Sequence, residues 1–124
     1  MNQDTTELTD YDHIVRTIQH YIDGARSGSG DVMRPAFHPD AVIFGYVGPD
    51  LHAGPIEQLF AWNDRNGPAE HLDAHIASAD ITGDIATVRL ELDNWTGRRF
   101  TDLFSMIRID GTWLIVSKVF HLHA

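Results

Sequence analysis

Two alternating runs that meet at Asp110-Gly111 constrain this chain more than any other feature of its sequence. Asp-Gly between such runs predicts a type I′ hairpin turn, because both central residues tolerate a positive φ. We therefore predict two long antiparallel strands between residues 94 and 123. Side chains alternate along a strand, so one face is predicted to carry Leu114, Val116, Lys118, Phe120 and Leu122. The opposite face is predicted to carry Trp113, Ile115, Ser117, Val119, His121 and His123.

Composition excludes several classes of function. The formal net charge is -9, which makes nucleic acid and anionic membrane surfaces poor partners. The sequence has no cysteine, which excludes disulfides and thiolate chemistry. Its first residues resemble no signal peptide, and no apolar run is long enough to span a bilayer. We expect a soluble cytoplasmic protein with one domain over residues 1–124 and a disordered start at residues 1–7.

Apolar periodicity predicts three helices. The first covers Tyr11 to Arg26, with Thr9 or Asp10 as its N-cap. Asp31 is expected to cap a second, short helix that runs through Phe37. Pro39 is expected to end this helix, because a proline disfavours helix in the residue before it. Pro55 is expected to open the third helix, since its missing N–H costs nothing at the first helical position.

Strand patterns fill the remaining chain. We predict a strand from Ala41 to Val47, a short extended stub from Leu51 to Gly54, and a strand pair over Glu70–Thr82 and Asp84–Trp95. The order of helices followed by a meander of strands indicates an α+β domain. Its helices are expected to cover one face of a curved antiparallel sheet, with a pocket between them.

The closing run N-W-x-G-x-x-F-T-D-x-x-S-x-x-x-x-D-G-x-W-x-I-V-x-K-V-F-H, residues 94–121, carries a family resemblance. It resembles the small proteins labelled "putative lumazine-binding", within the nuclear transport factor 2-like (SnoaL-like) superfamily of polyketide cyclases, ketosteroid isomerases and dehydratases. The resemblance implies a cone-shaped α+β fold, with three N-terminal helices packed on a curved, mostly antiparallel sheet. It also implies a homodimer and an inward-pointing side chain at Lys118.

The isomerase pattern of that superfamily is only partly present. Its hydroxyl donor on the first helix would fall on Tyr21, which is kept. Its carboxylate base would fall on Gly45 and its second acid on Ser105, so both are lost. Steroid isomerisation needs that pair of carboxyl groups, and we therefore reject it, although a different reaction in the same cone stays open.

Lys118 and Asp102 are the first candidates for chemistry, with Tyr21 and His75 as further proton-handling groups. Burial lowers the pKa of an ammonium group unless a carboxylate holds its charge, and Asp102 on the adjacent strand is the natural partner. A structural ion pair, or a lysine that reaches the rim, explains the same pattern. Asp102 lies three residues from Ser105, so the two face opposite ways without a bulge.

Histidine patterns raise weaker possibilities. His121 and His123 share a strand face, but no spacing resembles a zinc site, and we predict no metal and no cofactor. We interpret that pair as a surface or interface feature. His71 and His75 lie four apart, so on a regular strand they share a face and reach the mouth of the pocket, or act as neutral hydrogen-bonding partners.

A mainly aromatic and apolar set is predicted to line a ligand pocket, although filling of the core is the commoner role of such residues. The predicted ligand-binding residues are Phe37, Phe44, Tyr46, Trp62, Leu90, Asn94, Trp95 and Phe120. On the opposite face of the last strand, Trp113, Ile115 and Val119 predict an apolar patch that a homodimer would cover through the sheets.

Three functions remain open from the sequence. The first is a binder of a small, planar, anionic or carbonyl-bearing molecule, which an apolar cone with one inward lysine would suit. The second is a cofactor-independent enzyme of the cyclase, isomerase or dehydratase type acting on a carbonyl-bearing substrate. The third is an interaction module built on the dimer, with a filled pocket. One scaffold hosts many chemistries.

Overall fold

The structure is a computed structural model and describes residues 9–124. Its helices are α1 (Asp10–Ser27), α2 (Gly30–Met33) and α3 (Glu57–Asn66), with a 3-10 turn over Arg34–Ala36. Its strands are β1 (Phe37–Val47), β2 (Asp50–Pro55), β3 (Asp73–Thr82), β4 (Ile85–Trp95), β5 (Arg98–Ile109) and β6 (Thr112–Leu122). The prediction of disorder for residues 1–7 lies outside the described residues. No helix in residues 9–124 is long and apolar enough to cross a membrane.

A single curved sheet of six strands forms the base of the fold, in the order β2-β1-β6-β5-β4-β3. Strands β3 to β6 form the predicted antiparallel meander, and β1 joins its far side in parallel with β6. The helices cover one side, which we call the inner face, and the other side is the outer face. The predicted α+β class and the cone-shaped architecture are confirmed.

Helix α1 begins and ends where the sequence predicts, within one residue. The Thr9 side chain accepts from the Asp12 N–H, and Asp12 accepts from the Thr9 N–H, which forms a capping box. Gly28 closes the helix in the left-handed conformation. The buried side of α1 lies on β6, where the Thr17 hydroxyl donates to the Trp113 carbonyl at 2.8 Å. This contact holds α1 across the inner face.

The predictions around two prolines were wrong. Phe37 is the first residue of β1 instead of part of the second helix, and Pro39 lies inside that strand. Pro39 is tolerated there because β1 has no regular pairing with β6 between Phe37 and Val42, so a ladder hydrogen bond is not lost. Pro55 ends β2, and α3 starts at Glu57 with Ile56 as its N-cap.

A bulge in β6 corrects the predicted faces of the last strand. Ser117 faces Ser105 but Ile115 faces Met106, which leaves Val116 as the extra residue. The bulge reverses the alternation, so Trp113 and Ile115 lie in the core at 1% and 0% exposure instead of on the outer face. Leu114 and Val116, predicted to point inward, are only half-buried. Beyond the bulge, Lys118 points inward and Val119 outward, as predicted.

Candidate functional site

A small apolar cavity of about 70 Å³ lies between α3 and the inner face of the sheet. Its mouth is formed by the exposed residues Val47, His52 and Gln58. Its buried wall includes Lys118, at 4% exposure, and Trp95, at 2%. The complete lining is Ile43, Val47, His52, Gln58, Leu59, Trp62, Trp95, Phe100, Lys118 and Phe120. The cavity therefore combines apolar walls with one buried amine.

Three polar side chains meet beside this cavity, one each from α1, β5 and β6. The Tyr21 hydroxyl donates to Oδ2 of Asp102 at 2.6 Å. Lys118 Nζ lies 3.9 Å from Oδ1 of the same carboxyl group. Asp102 and Tyr21 are both at 0% exposure. The structure thus brings together Tyr21, Asp102 and Lys118, three of the four residues predicted to handle protons.

Burial shifts the pKa of each of the three groups in the direction that favours its uncharged form. Desolvation lowers the pKa of Lys118, and the nearby Asp102 carboxylate opposes that change. Desolvation raises the pKa of Asp102, against the opposing effects of Lys118 and of the Tyr21 hydrogen bond. The pKa of Tyr21 is raised by its burial and by Asp102. Burial therefore weakens the hold of the Lys118 amine on its proton relative to water and strengthens that of the Asp102 carboxylate.

Aromatic rings enclose the amine. Lys118 Nζ lies 4.9 Å from the centroid of the Phe120 ring, 5.4 Å from that of Tyr21 and 5.9 Å from that of Trp95. Ring faces attract a cation, but they offer no hydrogen-bond acceptor comparable to water. The rings therefore fix the position of the amine while keeping it poorly solvated.

Two buried polar atoms at the site lack a protein partner. Trp95 Nε1 and Asp102 Oδ1 are buried, and neither forms a hydrogen bond within the described residues. Trp95 is also held between Asn94 and Thr96, whose φ angles of 60° and 49° are unusual for residues other than glycine. Such strain and unpaired groups concentrate at functional sites. Of these two residues, Trp95 lines the cavity and Asp102 lies behind its Lys118 wall.

The two positions at which the isomerase pattern is lost differ in what they face. Gly45 pairs with Phe120 across β1 and β6, and a Cβ at Gly45 would overlap the Phe120 ring. The Phe120 ring therefore occupies the space that a carboxylate side chain would need. Ser105 is exposed on the outer face, whereas Asp102 points inward. The predicted opposite orientation of Asp102 and Ser105 is confirmed.

Several predicted site residues lie elsewhere. Phe44 and Tyr46 point to the outer face, at 45% and 61% exposure, because strand alternation places Ile43 and Gly45 inside. Asn94 is exposed, since an irregularity between Leu92 and Trp95 turns Trp95 inward in its place. These three assignments to the ligand pocket were wrong.

Other predicted residues are inside but away from the cavity. Phe37 and Leu90 are buried in the core, at 5% and 0% exposure, and are not among the lining residues. Trp62, Trp95 and Phe120 do line the cavity, as predicted. Size and hydrophobicity do not distinguish the two groups in a sequence.

The structure places His71 and His75 away from the cavity. His75 is exposed on the outer face opposite Glu91, because Ala74 and Ile76 take the inward positions of β3. His71 precedes β3, which begins at Asp73, so it does not share a strand face with His75. Neither imidazole is among the residues that line the cavity.

The rings of His121 and His123 lie 4.7 Å apart at the end of β6. Nε2 of His123 lies 2.9 Å from the hydroxyl of Thr101 on the neighbouring strand. Residues 9–124 contain no cluster of three side chains that could hold a metal ion.

Sequence reasoning missed the mouth of the cavity. His52 faces Gly45 across β1 and β2, a pairing that depends on the register of these two strands. Gln58 and Leu59 lie one after the other on α3, and only Leu59 belongs to its apolar face. Phe100 lies two positions before Asp102 on β5, so the two side chains share a face of the sheet. The inward position predicted for Asp102 therefore implied an inward position for Phe100 as well.

The fold and the cavity define a class of proteins, and comparisons with known proteins agree. A crystal structure of an NTF2-like protein of unknown function from Methylobacillus flagellatus KT matches with a TM-score of 0.92 and 45% identity, over 97% of each chain. A second such structure, from Shewanella baltica OS155, matches at 0.89 and 38% identity, over 98% of this chain and 99% of the other. The chain is an NTF2-like protein.

The family follows from the sequence matches. Residues 9–121 match the family model described as "Putative lumazine-binding", and the chain belongs to that family. It is also similar to the aldolase FrzH of Cladobotryum sp., at 34% identity over 114 residues, which cover 91% of each chain. The resemblance predicted from residues 94–121 is confirmed.

Proposed function

We propose that this protein binds a small carbonyl-bearing molecule in the cavity beside Lys118. The observation that carries the proposal is a buried amine that lines an apolar cavity. Small-molecule sites combine apolar walls with a few fixed polar groups in this way. A carbonyl oxygen placed there would accept a hydrogen bond from the Lys118 amino group or from the Trp95 indole N–H, which has no acceptor within residues 9–124.

The cavity limits the size of the enclosed group. Its volume is about 70 Å³, whereas an engineered protein cavity that binds benzene measures about 150 Å³. A bicyclic ring such as that of lumazine therefore does not fit unless the walls move. The proposal is that the carbonyl end enters and that any larger remainder extends past Val47, His52 and Gln58.

A thermal-shift screen with small ketones, aldehydes and lumazine tests this proposal. A ligand present at 100 times its dissociation constant stabilises a protein by about 2.7 kcal/mol, which raises the melting temperature measurably. We expect ligand-dependent shifts in wild type that disappear in Lys118→Met. The exposed cation Arg65 provides the control, because Arg65→Met should keep the shifts. Equal shifts in wild type and Lys118→Met would refute the role of the amine.

A second candidate function is proton transfer on the bound carbonyl compound. The observation that favours it is the Tyr21, Asp102 and Lys118 cluster, whose pKa values are all displaced by burial. The similarity to a protein named as an aldolase is consistent with chemistry next to a carbonyl group. Asp102, as a poorly solvated carboxylate, would remove the proton α to that carbonyl.

Exchange of α-protons in deuterated water, followed by NMR, tests the enzymatic proposal. Wild type should accelerate exchange in a ketone that it binds, and Asp102→Asn should reduce that rate about 10²-fold or more. Glu91→Gln is the matched control, because Glu91 lies on the outer face of the neighbouring strand. Failure to accelerate exchange in any bound ketone would leave only the binding function.

We also propose a cytoplasmic location and a homodimer formed through the outer face. Phe44, Val119 and Leu103 are neighbours across three strands, at 45%, 47% and 49% exposure. This contiguous apolar row replaces the predicted patch that included Trp113 and Ile115. Because apolar rows of this kind mark interfaces, Val119→Asp should convert a dimer to monomers in sedimentation at micromolar concentration. Ile85→Asp, outside the row, should not, and a monomeric wild type would refute the dimer.

A further inference from the structure

We propose that Lys118 forms a covalent iminium with a small apolar aldehyde or ketone held in the cavity. This inference rests on the proposed function, because it assigns a reaction to the ligand of the same site. Its substrate class is a neutral carbonyl compound with few atoms on the side that enters.

The first support comes from the number and position of lysines. The sequence contains a single lysine, Lys118, against eight arginines. Lysine is among the side chains least often fully buried, yet this one is at 4% exposure and lines the cavity. A guanidinium can hold a charge or bind an anion, but it does not form imines with carbonyl compounds. The one side chain of this sequence that can form an imine therefore lines the cavity.

The second support is the way in which the amine is held. Its nearest carboxyl oxygen, Asp102 Oδ1, is 3.9 Å away, which is longer than a hydrogen bond. The other oxygen of Asp102 accepts from Tyr21. Nζ is therefore not locked into a tight pair with Asp102, and it retains access to the cavity.

The third support is the electrostatic setting. Burial lowers the pKa of Lys118 and raises that of Asp102. A desolvated lysine in an apolar site is an activated nucleophile, because the free amine is the reacting form. The same setting favours a neutral ligand, since an anion buried in this apolar site would be costly.

The reaction balances in atoms and charge. The lone pair of the neutral Lys118 amine forms a C–N bond with the carbonyl carbon, and the proton on nitrogen moves to the oxygen. The carboxyl group of Asp102 gives its proton to the resulting hydroxyl, the C–O bond breaks, and water leaves. The products are an iminium cation and the Asp102 carboxylate, so a neutral pair is replaced by an ion pair at the same place.

The iminium opens a specific class of chemistry. Its positive nitrogen acidifies the adjacent C–H bond, and the Asp102 carboxylate can take that proton while the electron pair forms a C=C bond. The resulting neutral enamine is a carbon nucleophile toward a second carbonyl group. The site is thus suited to aldol-type bond formation or cleavage without a metal or cofactor taking part in these steps.

Reductive trapping tests the proposal with propanal and acetone as probes and cyanoborohydride as the reductant. Trapping would place one alkyl group on Lys118 and prevent tryptic cleavage there, so that residues 109–124 appear as one modified peptide. The reference is the double variant Lys118→Met/Arg65→Lys, which moves the lysine to an exposed position on α3. The α-amine of each protein is an internal standard.

We expect faster alkylation of Lys118 than of the lysine placed at position 65, with the largest excess near neutral pH, where an exposed amine is almost fully protonated. Alkylation of Lys118 at the same rate as the reference, or more slowly, with both probes would overturn the iminium. The thermal-shift screen tests noncovalent binding separately from this covalent step. If the Lys118-dependent thermal shifts persist without trapping, noncovalent binding stands and only the covalent step fails.

Discussion

Two carboxylates on adjacent strands, Asp102 and Glu91, show how the two faces of one sheet treat the same functional group. Asp102 faces inward at 0% exposure, and burial raises its pKa. Glu91 faces outward and accepts from the Thr101 hydroxyl at 2.6 Å and from Arg89 at 2.7 Å. These bonds lower its pKa. Burial on the inner face thus favours the neutral form of Asp102, whereas hydrogen bonds on the outer face favour the carboxylate form of Glu91.

The difference follows from hydrogen-bond donors and water rather than from charge partners alone. Each carboxyl group has a basic side chain nearby. Within residues 9–124, Asp102 accepts one hydrogen bond and its Oδ1 has no partner, whereas both oxygens of Glu91 are bonded. An incompletely satisfied buried carboxylate is structurally expensive and chemically reactive. The inner carboxyl group is therefore the less satisfied of the two, and the outer one is the better hydrogen-bonded.

Removing Asp102 should have the largest effect on this comparison. Asp102→Leu leaves the Lys118 amine buried without a carboxylate, and breaking a buried pair costs about 3–5 kcal/mol of unfolding free energy. Urea denaturation measures that loss. The double variant Asp102→Leu/Lys118→Met should recover part of it, since an apolar replacement of such a pair is often neutral, whereas the buried Tyr21 hydroxyl still lacks its acceptor. A single variant as stable as wild type would show that the pair does not interact.

The pH dependence of stability should differ in sign between the two carboxylates. For Asp102 the folded pKa lies above the ordinary 3.8, so its contribution to stability is present below that value and is lost as pH rises through the folded pKa. For Glu91 the folded pKa lies below the ordinary 4.5, so its contribution is present above 4.5 and is lost as pH falls.

Lys118 should also make the unfolding free energy depend on pH in the alkaline range. Its folded pKa lies below the ordinary 10.5, so stability rises with pH from the folded pKa up to that value. The quantity to follow is the difference in unfolding free energy between wild type and Asp102→Leu/Lys118→Met. This difference should fall as pH increases above 3.8 and rise again toward 10.5. A flat difference across this range would contradict the burial-driven shifts.

Replacing Glu91 should have the smallest effect. Glu91→Gln keeps hydrogen-bonding oxygen and nitrogen atoms in place, and its partners Arg89 and Arg99 are half-exposed. Solvent-screened pairs contribute about 1 kcal/mol or less, so we expect a loss no larger than that by urea denaturation. The loss should vanish as pH drops below the folded pKa of Glu91. A loss comparable to that of Asp102→Leu would show that the outer cluster is as important as the inner pair.

Local signals in the sequence predicted much of the fold. The capping residues of α1 and the Asp110-Gly111 turn, with φ angles of 50° and 79°, are as expected. Both depend on the conformational preferences of a few adjacent residues. The inward orientation of Lys118 was also predicted, because the alternation holds in the part of β6 that follows the bulge.

Single-residue irregularities caused most of the errors. The extra residue Val116 in β6 moved Trp113 and Ile115 to the core, and the irregularity after Leu92 exchanged Asn94 for Trp95 on the inner face. A period-two pattern does not reveal such insertions, because each one reverses every side chain beyond it. Exposed Phe44 and Tyr46 were misassigned for another reason, since an aromatic residue suits an interface as well as a pocket.

The sequence alone determined most of the elements, the family and the single inward-facing lysine, because these depend on short-range patterns and on a motif of adjacent residues. Only the tertiary structure decided that Tyr21, Asp102 and Lys118 meet beside a cavity, and that His75 does not join them. Tyr21 and Asp102 are 81 positions apart, and the contact between them depends on strand register and helix placement. Those are properties of the packed chain as a whole, and they set the burial that displaces the pKa values.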